Sequence, residues 1–240
     1  ARQLLHQFFE QIDFPQATGE PLEGTVRALL LRYGQLRVTR RGVPGGETDW
    51  TAAVVDLVTR VLDTRLEADS GLRLRDIPLA DRLTELEFHF PVAGLTPATL
   101  QAALVGTPAY RASAAGLGFE AMRGLMRGFI DLVLRFRGRY YLVDYKSNLL
   151  GRHPAAYGRE GMAAAIQEHR YDLQYLIYTL ALHRFLRARL PGYDYGRDFG
   201  GCLYLFLRGV HPERGPATGV WHDRPDPALV KRLDRLFIHG

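Results

Sequence analysis

Two aspartates and a lysine stand at spacings that could do chemistry. Asp131 lies inside an apolar run formed by Phe129, Ile130, Leu132, Val133, Leu134 and Phe136. Asp144 closes a second run, Tyr140 to Val143, and Lys146 follows two positions later. Arg137-Gly138-Arg139 separates the runs, and glycine there tolerates a hairpin turn. Residues 129–136 and 140–146 are therefore expected as paired strands. Asp144 and Lys146 then share a face, because strand side chains alternate. A carboxylate in an apolar strand is costly to bury alone, and two brought together across a hairpin repel. A divalent cation resolves both problems: carboxylate oxygens suit Mg²⁺, with Mn²⁺ or Ca²⁺ able to substitute in binding. A lysine beside the ion can hold a water or a phosphate oxygen, the layout of metal-assisted phosphodiester hydrolysis. Asp-x-Lys alone arises by chance and on wet hairpin edges. The added Gly128-Phe129-Ile130-Asp131 segment tips the balance to the chemical reading.

The elements that must position these residues are legible in outline. Leu4, Leu5, Phe8, Phe9 and Ile12 recur at helical spacing over 2–12, with His6 beside the stripe. From pattern alone His6 reads as a surface histidine. A helix is expected at 24–33, a loop at 42–47 and an amphipathic helix at 49–66. Residues 83–90 alternate: Leu86, Phe88 and Phe90 share one face, and Glu85, Glu87 and His89 the other. Taken alone, this reads as an edge strand with a wet acidic side, ended by Pro91. A short helix is expected at 97–104, a loop at Gly116-Leu117-Gly118, and another loop from Asn148 to Arg159. Residues 160–190 read as one long helix on which Arg170, Gln174 and Tyr178 form a polar stripe. Continuous apolarity makes 201–207 a buried strand, with Cys202 an inert core residue. A loop over 208–227 and a closing helix at 227–238 complete the chain.

Composition sets limits. The 240 residues are 47% hydrophobic and 24% charged, ordinary for a globular protein. The lone Cys202 excludes an internal disulfide and a cysteine-ligated iron–sulfur cluster within this chain, and a reducing, cytoplasmic setting fits. No apolar run is long enough to span a membrane. There is no P-loop motif and hence no P-loop ATPase. Lys146 and Lys231 are the only lysines among 31 basic residues, and a net charge of +5 allows nucleic-acid binding without proving it.

The spacing Asp131-(x12)-Asp144-x-Lys146 resembles the core of the PD-(D/E)XK nuclease superfamily. Several segments resemble its RecB-like branch, the nuclease modules of exonuclease V helicase-nucleases. These are Gly128 to Leu132, Tyr141 to Asn148, Tyr171 to Tyr175 with Tyr178, and Tyr204 to Gly209. The match runs over nearly the whole chain. It implies a restriction-endonuclease-like α/β fold: a mixed central sheet flanked by helices. An N-terminal helical part, 1–80, would bring His6 to a nuclease core, 81–240. The resemblance further implies that His6, Asp131, Asp144 and the backbone carbonyl of Tyr145 hold the metal, and that Lys146 acts on the attacking water. It makes Glu85 a supporting acid, with Glu87 as the alternative, and has Gln174 and Tyr178 face the DNA strand. The implied activity is a Mg²⁺-dependent exodeoxyribonuclease acting on single strands delivered by a helicase. RecC-like and RecD-like subunits and RecA are the implied partners. Such a module would be a fragment of a longer protein, and this chain starts inside an apparent helix without a methionine. A cleavage-dead scaffold is disfavoured by retention of both acids and the lysine. A stand-alone restriction or repair nuclease is disfavoured by the lack of a visible sequence-reading module.

Overall fold

The hairpin around Arg137-Gly138 grows into the middle of a five-stranded sheet. The computed structural model describes residues 2–35, 37–39, 47–115 and 117–239. In chain order the elements are α1 (Arg2–Gln11), α2 (Gly19–Arg32), β1 (Arg37–Thr39), β2 (Glu47–Asp49), α3 (Thr51–Asp63), β3 (Arg82–Leu95), α4 (Pro97–Val105), α5 (Arg111–Ala114), β4 (Met122–Phe136) and β5 (Arg139–Lys146). There follow α6 (Arg159–Glu168), α7 (Tyr171–Arg189), α8 (Tyr195–Asp198), β6 (Phe199–Phe206), β7 (Val220–Asp223) and α9 (Pro227–His239). The main sheet has the order β3-β4-β5-β6-β7; β5 and β6 are parallel and the other pairs antiparallel. This is the mixed α/β sheet expected for the class.

Two apolar cores sandwich the sheet. On one face Leu142, Tyr204 and Phe206 pack with residues of α7 and α9. On the other, Leu132, Val143, Tyr145 and Leu205 share a core with Phe8 and Phe9 of α1, Val26 of α2 and Val61 of α3. Alternate residues of β5 thus feed opposite cores, and β6 is buried along its length, as its unbroken apolarity requires. Buried Arg82, at the start of β3, donates to the carbonyl of Ile12 and lies 3.7 Å from the Phe14 ring centroid. That contact fixes the end of α1, the helix that carries His6, to the edge of the sheet.

The structure corrects several boundaries. Residues 160–190 form two helices, because Arg170 between them adopts a left-handed φ of 51°. Pro91 does not end β3; the strand runs on to Leu95, and β3 is an edge strand, where a missing N–H can face outward. β4 begins seven residues earlier than the apolar run suggested, at Met122. β7 lies in the stretch expected as loop, and the small β1–β2 pair matches no strand expected from the sequence. Most of the loop expected at 42–47, and Gly116 of the later one, lie outside the described residues.

Candidate active site

The pairing registers explain how the acids meet. β3 pairs with β4 at Thr84–Leu132 and again at Leu86–Ile130, skipping Glu85 opposite Asp131. β4 pairs with β5 from Phe136–Arg139 up to Leu132–Val143, and the next step would set Asp131 opposite Asp144. Glu85, Asp131 and Asp144 therefore fall on one row across three strands, at the point where both ladders are interrupted. Glu85 has a left-handed φ of 49°, a costly conformation for a residue with a side chain. Across the other gap, the Tyr145 N–H donates to Asp131 Oδ2 at 3.0 Å, so a carboxylate replaces a ladder carbonyl. The opened row is one wall of a cleft of about 580 Å³. His6 and Glu10 of α1 face it from one side and Tyr178 of α7 from another.

Around this row the polar contacts form two linked groups. In the first, His6 Nδ1 lies 3.3 Å from Asp131 Oδ1, and Glu10 is hydrogen-bonded to Glu85. A hydrogen bond between two carboxyls needs a shared proton. Burial first, and then Glu85, push the Glu10 carboxyl up to about 7. In the second group, Lys146 Nζ lies 2.6 Å from Asp144 Oδ2, with side chains only 3% and 2% exposed. Lys146 also donates to Gln174 Oε1 at 2.9 Å and sits 3.9 Å from the Tyr171 ring centroid. Gln174 Oε1 accepts from Tyr204 as well, and Gln174 Nε2 donates to the Tyr178 hydroxyl at 2.9 Å. Gln174 thus orients the lysine, and Tyr178 is the member of the pair that lines the cleft. Burial, then repulsion from Asp131, push the Asp144 carboxyl up to about 6, against the opposing pull of Lys146 and His6.

Among the described residues no three His, Cys, Asp or Glu side chains converge as a ready-made metal cage. The donor chemistry still fits a hard cation. Four carboxylates face one cleft, and burial first, with repulsion between neighbouring carboxylates behind it, raises Asp144 and Glu10. A bound cation would relieve that repulsion.

Of the candidate site residues, His6, Glu85, Asp131, Asp144 and Tyr178 line the cleft; Lys146 and Gln174 stand behind it through Asp144 and Tyr178, Tyr145 reaches Asp131 through its main-chain N–H, and Glu87 turns elsewhere. Its carboxylate accepts from Arg127 at 2.6 Å on the outer surface of the β3–β4 pair, so Glu85 is the acid of this strand that faces the cleft. Sequence reasoning missed Glu10, which lies one helical turn beyond His6; the i, i+4 spacing was the available signal. Phe129 was assigned to the apolar run, but it is 45% exposed.

Comparison with known proteins agrees with this geometry. The family model for the PD-(D/E)XK nuclease superfamily matches residues 3–235. The chain is 40% identical over 234 residues, 97% of its length, to RecBCD enzyme subunit RecB of Escherichia coli. It is 42% identical over 194 residues, 78% of its length, to RecB of Haemophilus influenzae. It is 41% identical over 197 residues, 72% of its length, to RecB of Mycobacterium tuberculosis. The chain spans only 18%, 15% and 18% of those three proteins. With Asp131 and Asp144 in the wall of one cleft, Lys146 paired to Asp144 behind it, and the family model matched almost end to end, this chain belongs to the PD-(D/E)XK nuclease superfamily.

Proposed function

We propose that the chain hydrolyses DNA phosphodiester bonds with a bound divalent cation, Mg²⁺ foremost, as the nuclease module of a RecBCD-type helicase-nuclease. One observation carries the reading. A buried Lys146–Asp144 ion pair stands beside Asp131 and His6, its Asp144 in the wall of an open cleft. Ion pairs this buried are poor stabilisers, since desolvation offsets the attraction, so chemistry is the better reason for one here. His6, Asp131, Asp144 and the Tyr145 main-chain carbonyl are the groups that would hold the cation. When bound, it supplies a lowered water pKa and a polarised phosphate. Lys146, aimed by Gln174 and Asp144, holds the attacking water and meets the negative charge that grows on the phosphate oxygens. Glu85 is the supporting acid on the same wall of the cleft.

The similarity to RecB supports three finer points: single strands delivered by a helicase, exonucleolytic cutting, and assembly with RecC-like and RecD-like subunits, with RecA a further partner. The test is incubation of the chain with end-labelled single-stranded DNA, with Mg²⁺ and with a chelator. Cleavage that needs the ion and is lost in Asp131→Ala is expected. Wild-type protein that never cuts, alone or joined to a helicase partner, would contradict the reading.

A further inference from the structure

The outward face of β4 carries an open aromatic ring beside Asp131 that the hydrolytic reading leaves unused. Strand alternation puts Asp131 and Phe129 on one face, about 6.6–6.8 Å apart along the strand. Phe129 is 45% exposed, whereas its neighbour Ile130 is wholly buried. The ring lines the same cleft as Asp131, Asp144 and Tyr178. A phenylalanine open to water forgoes the burial that its type ordinarily gains.

The ring's position is braced. Phe129 pairs across the strands with Glu87. Glu87 accepts from Arg127, whose guanidinium carbon lies 5.4 Å from the Phe129 ring centroid. The opposite face of the strand is already filled. An added Cβ at Gly128 would stand 2.5 Å from the Phe88 ring, so this face has no room for a second aromatic ring. The structure therefore presents a half-exposed aromatic ring in the lining of a polar cleft, two residues along the strand from a proposed metal ligand.

We propose that Phe129 is a base-stacking platform: an unpaired nucleobase next to the scissile phosphate lies on this ring, which thereby selects single strands over duplex. The proposal rests on the nuclease reading and names how its substrate is held. A base inside a duplex has both faces covered by its neighbours and has none to offer. An unpaired base has a free face whatever its identity, so the platform would be indifferent to sequence.

The test uses a single strand carrying 2-aminopurine at successive positions, titrated with the 240-residue chain in Ca²⁺, and cleavage of the same strands in Mg²⁺. Wild type should quench the fluorescence at one position. Phe129→Ala should abolish the quenching and raise KM roughly tenfold, the scale of one lost base–aromatic stack, with kcat changed by less than about threefold. Phe129→Trp should restore both, and the melting temperature of Phe129→Ala should stay near wild type because the ring is half open. An abasic site at the quenched position should reproduce the KM rise in wild type and add nothing in Phe129→Ala, as coupled partners must. Unchanged quenching and KM in Phe129→Ala, or two independent additive penalties, would overturn the platform. Quenching is read without cleavage, so a chain that binds but never cuts refutes the nuclease reading while still deciding this one.

Discussion

At the scale of single residues, the site is defined by charges that its surroundings make expensive. Asp131, Asp144 and Lys146 were legible because ionisable groups inside apolar runs call for a reason. Glu10 was not, since a glutamate beside a helical apolar stripe looks like a solvated one. The exposure of Phe129 was not legible, because a continuous apolar run hides which members point outward. Gln174 was legible only through the resemblance, which gave it to the DNA; the structure gives it to Lys146. Gln174→Ala should therefore lower cleavage and also cost about 1.5–3 kcal/mol of stability, the usual range for losing a hydrogen bond to a charged group. Denaturant unfolding reads the second effect, and an unchanged midpoint would return Gln174 to a purely strand-facing role.

Glu10 supports a pH prediction. Its carboxyl is raised to about 7 in the fold, above the ordinary value of roughly 4.3 in an unfolded chain. Between those values the folded state binds more protons than the unfolded, so stability falls as pH rises through that window. In chelator, the melting temperature of wild type should drop from pH 5 to pH 8 by more than that of Glu10→Gln. Identical pH profiles would show that Glu10 carries no such load.

At the scale of elements, the strands and helices follow their patterns while the interruptions do not. The hairpin register, and with it the row of acids, is set by a two-residue turn. Arg137 and Gly138 both have positive φ, 48° and 78°, between the paired residues Phe136 and Arg139. The turn was visible as Arg137-Gly138. The left-handed Glu85 and Arg170 were not, since nothing in a glutamate or an arginine announces that conformation. Gly138→Ala should cost about 1–2 kcal/mol through a strained φ, yet leave kcat per folded molecule intact, because the turn lies at the far end of the hairpin. Gly128→Ala should cost about 1–3 kcal/mol by overpacking against Phe88, and should also lower cleavage, because it moves the strand step beside Asp131. Equal activity losses in the two variants would argue against the row as the reactive centre.

At the scale of the whole molecule, the sheet is a plane on which helices from two layers deliver groups to one opening. α1 brings His6 and Glu10 to it; α7 brings Gln174 and Tyr178. This convergence was legible only through the family resemblance, since no local pattern places residue 6 beside residue 131. A cation bound to the native state alone must stabilise it, by about 2.7 kcal/mol at a hundredfold excess over Kd. Mn²⁺ should raise the wild-type melting temperature and leave Asp131→Ala nearly unmoved, which differential scanning fluorimetry can read. Because protons compete for Asp144, the effect should strengthen as pH rises through about 6.

Single-turnover cleavage of single-stranded DNA by Lys146→Ala tests most directly whether the buried Lys146–Asp144 pair is the catalytic element of a nuclease. On the proposed function the lysine acts on charge that grows in the transition state, so its loss should slow cleavage by roughly 10²-fold or more. Strand affinity in Ca²⁺ should fall only slightly, since one positive charge is a small share of the electrostatic total. Cation affinity should hold or rise, because a like charge has left the site. A wild-type cleavage rate retained by Lys146→Ala would contradict the claim.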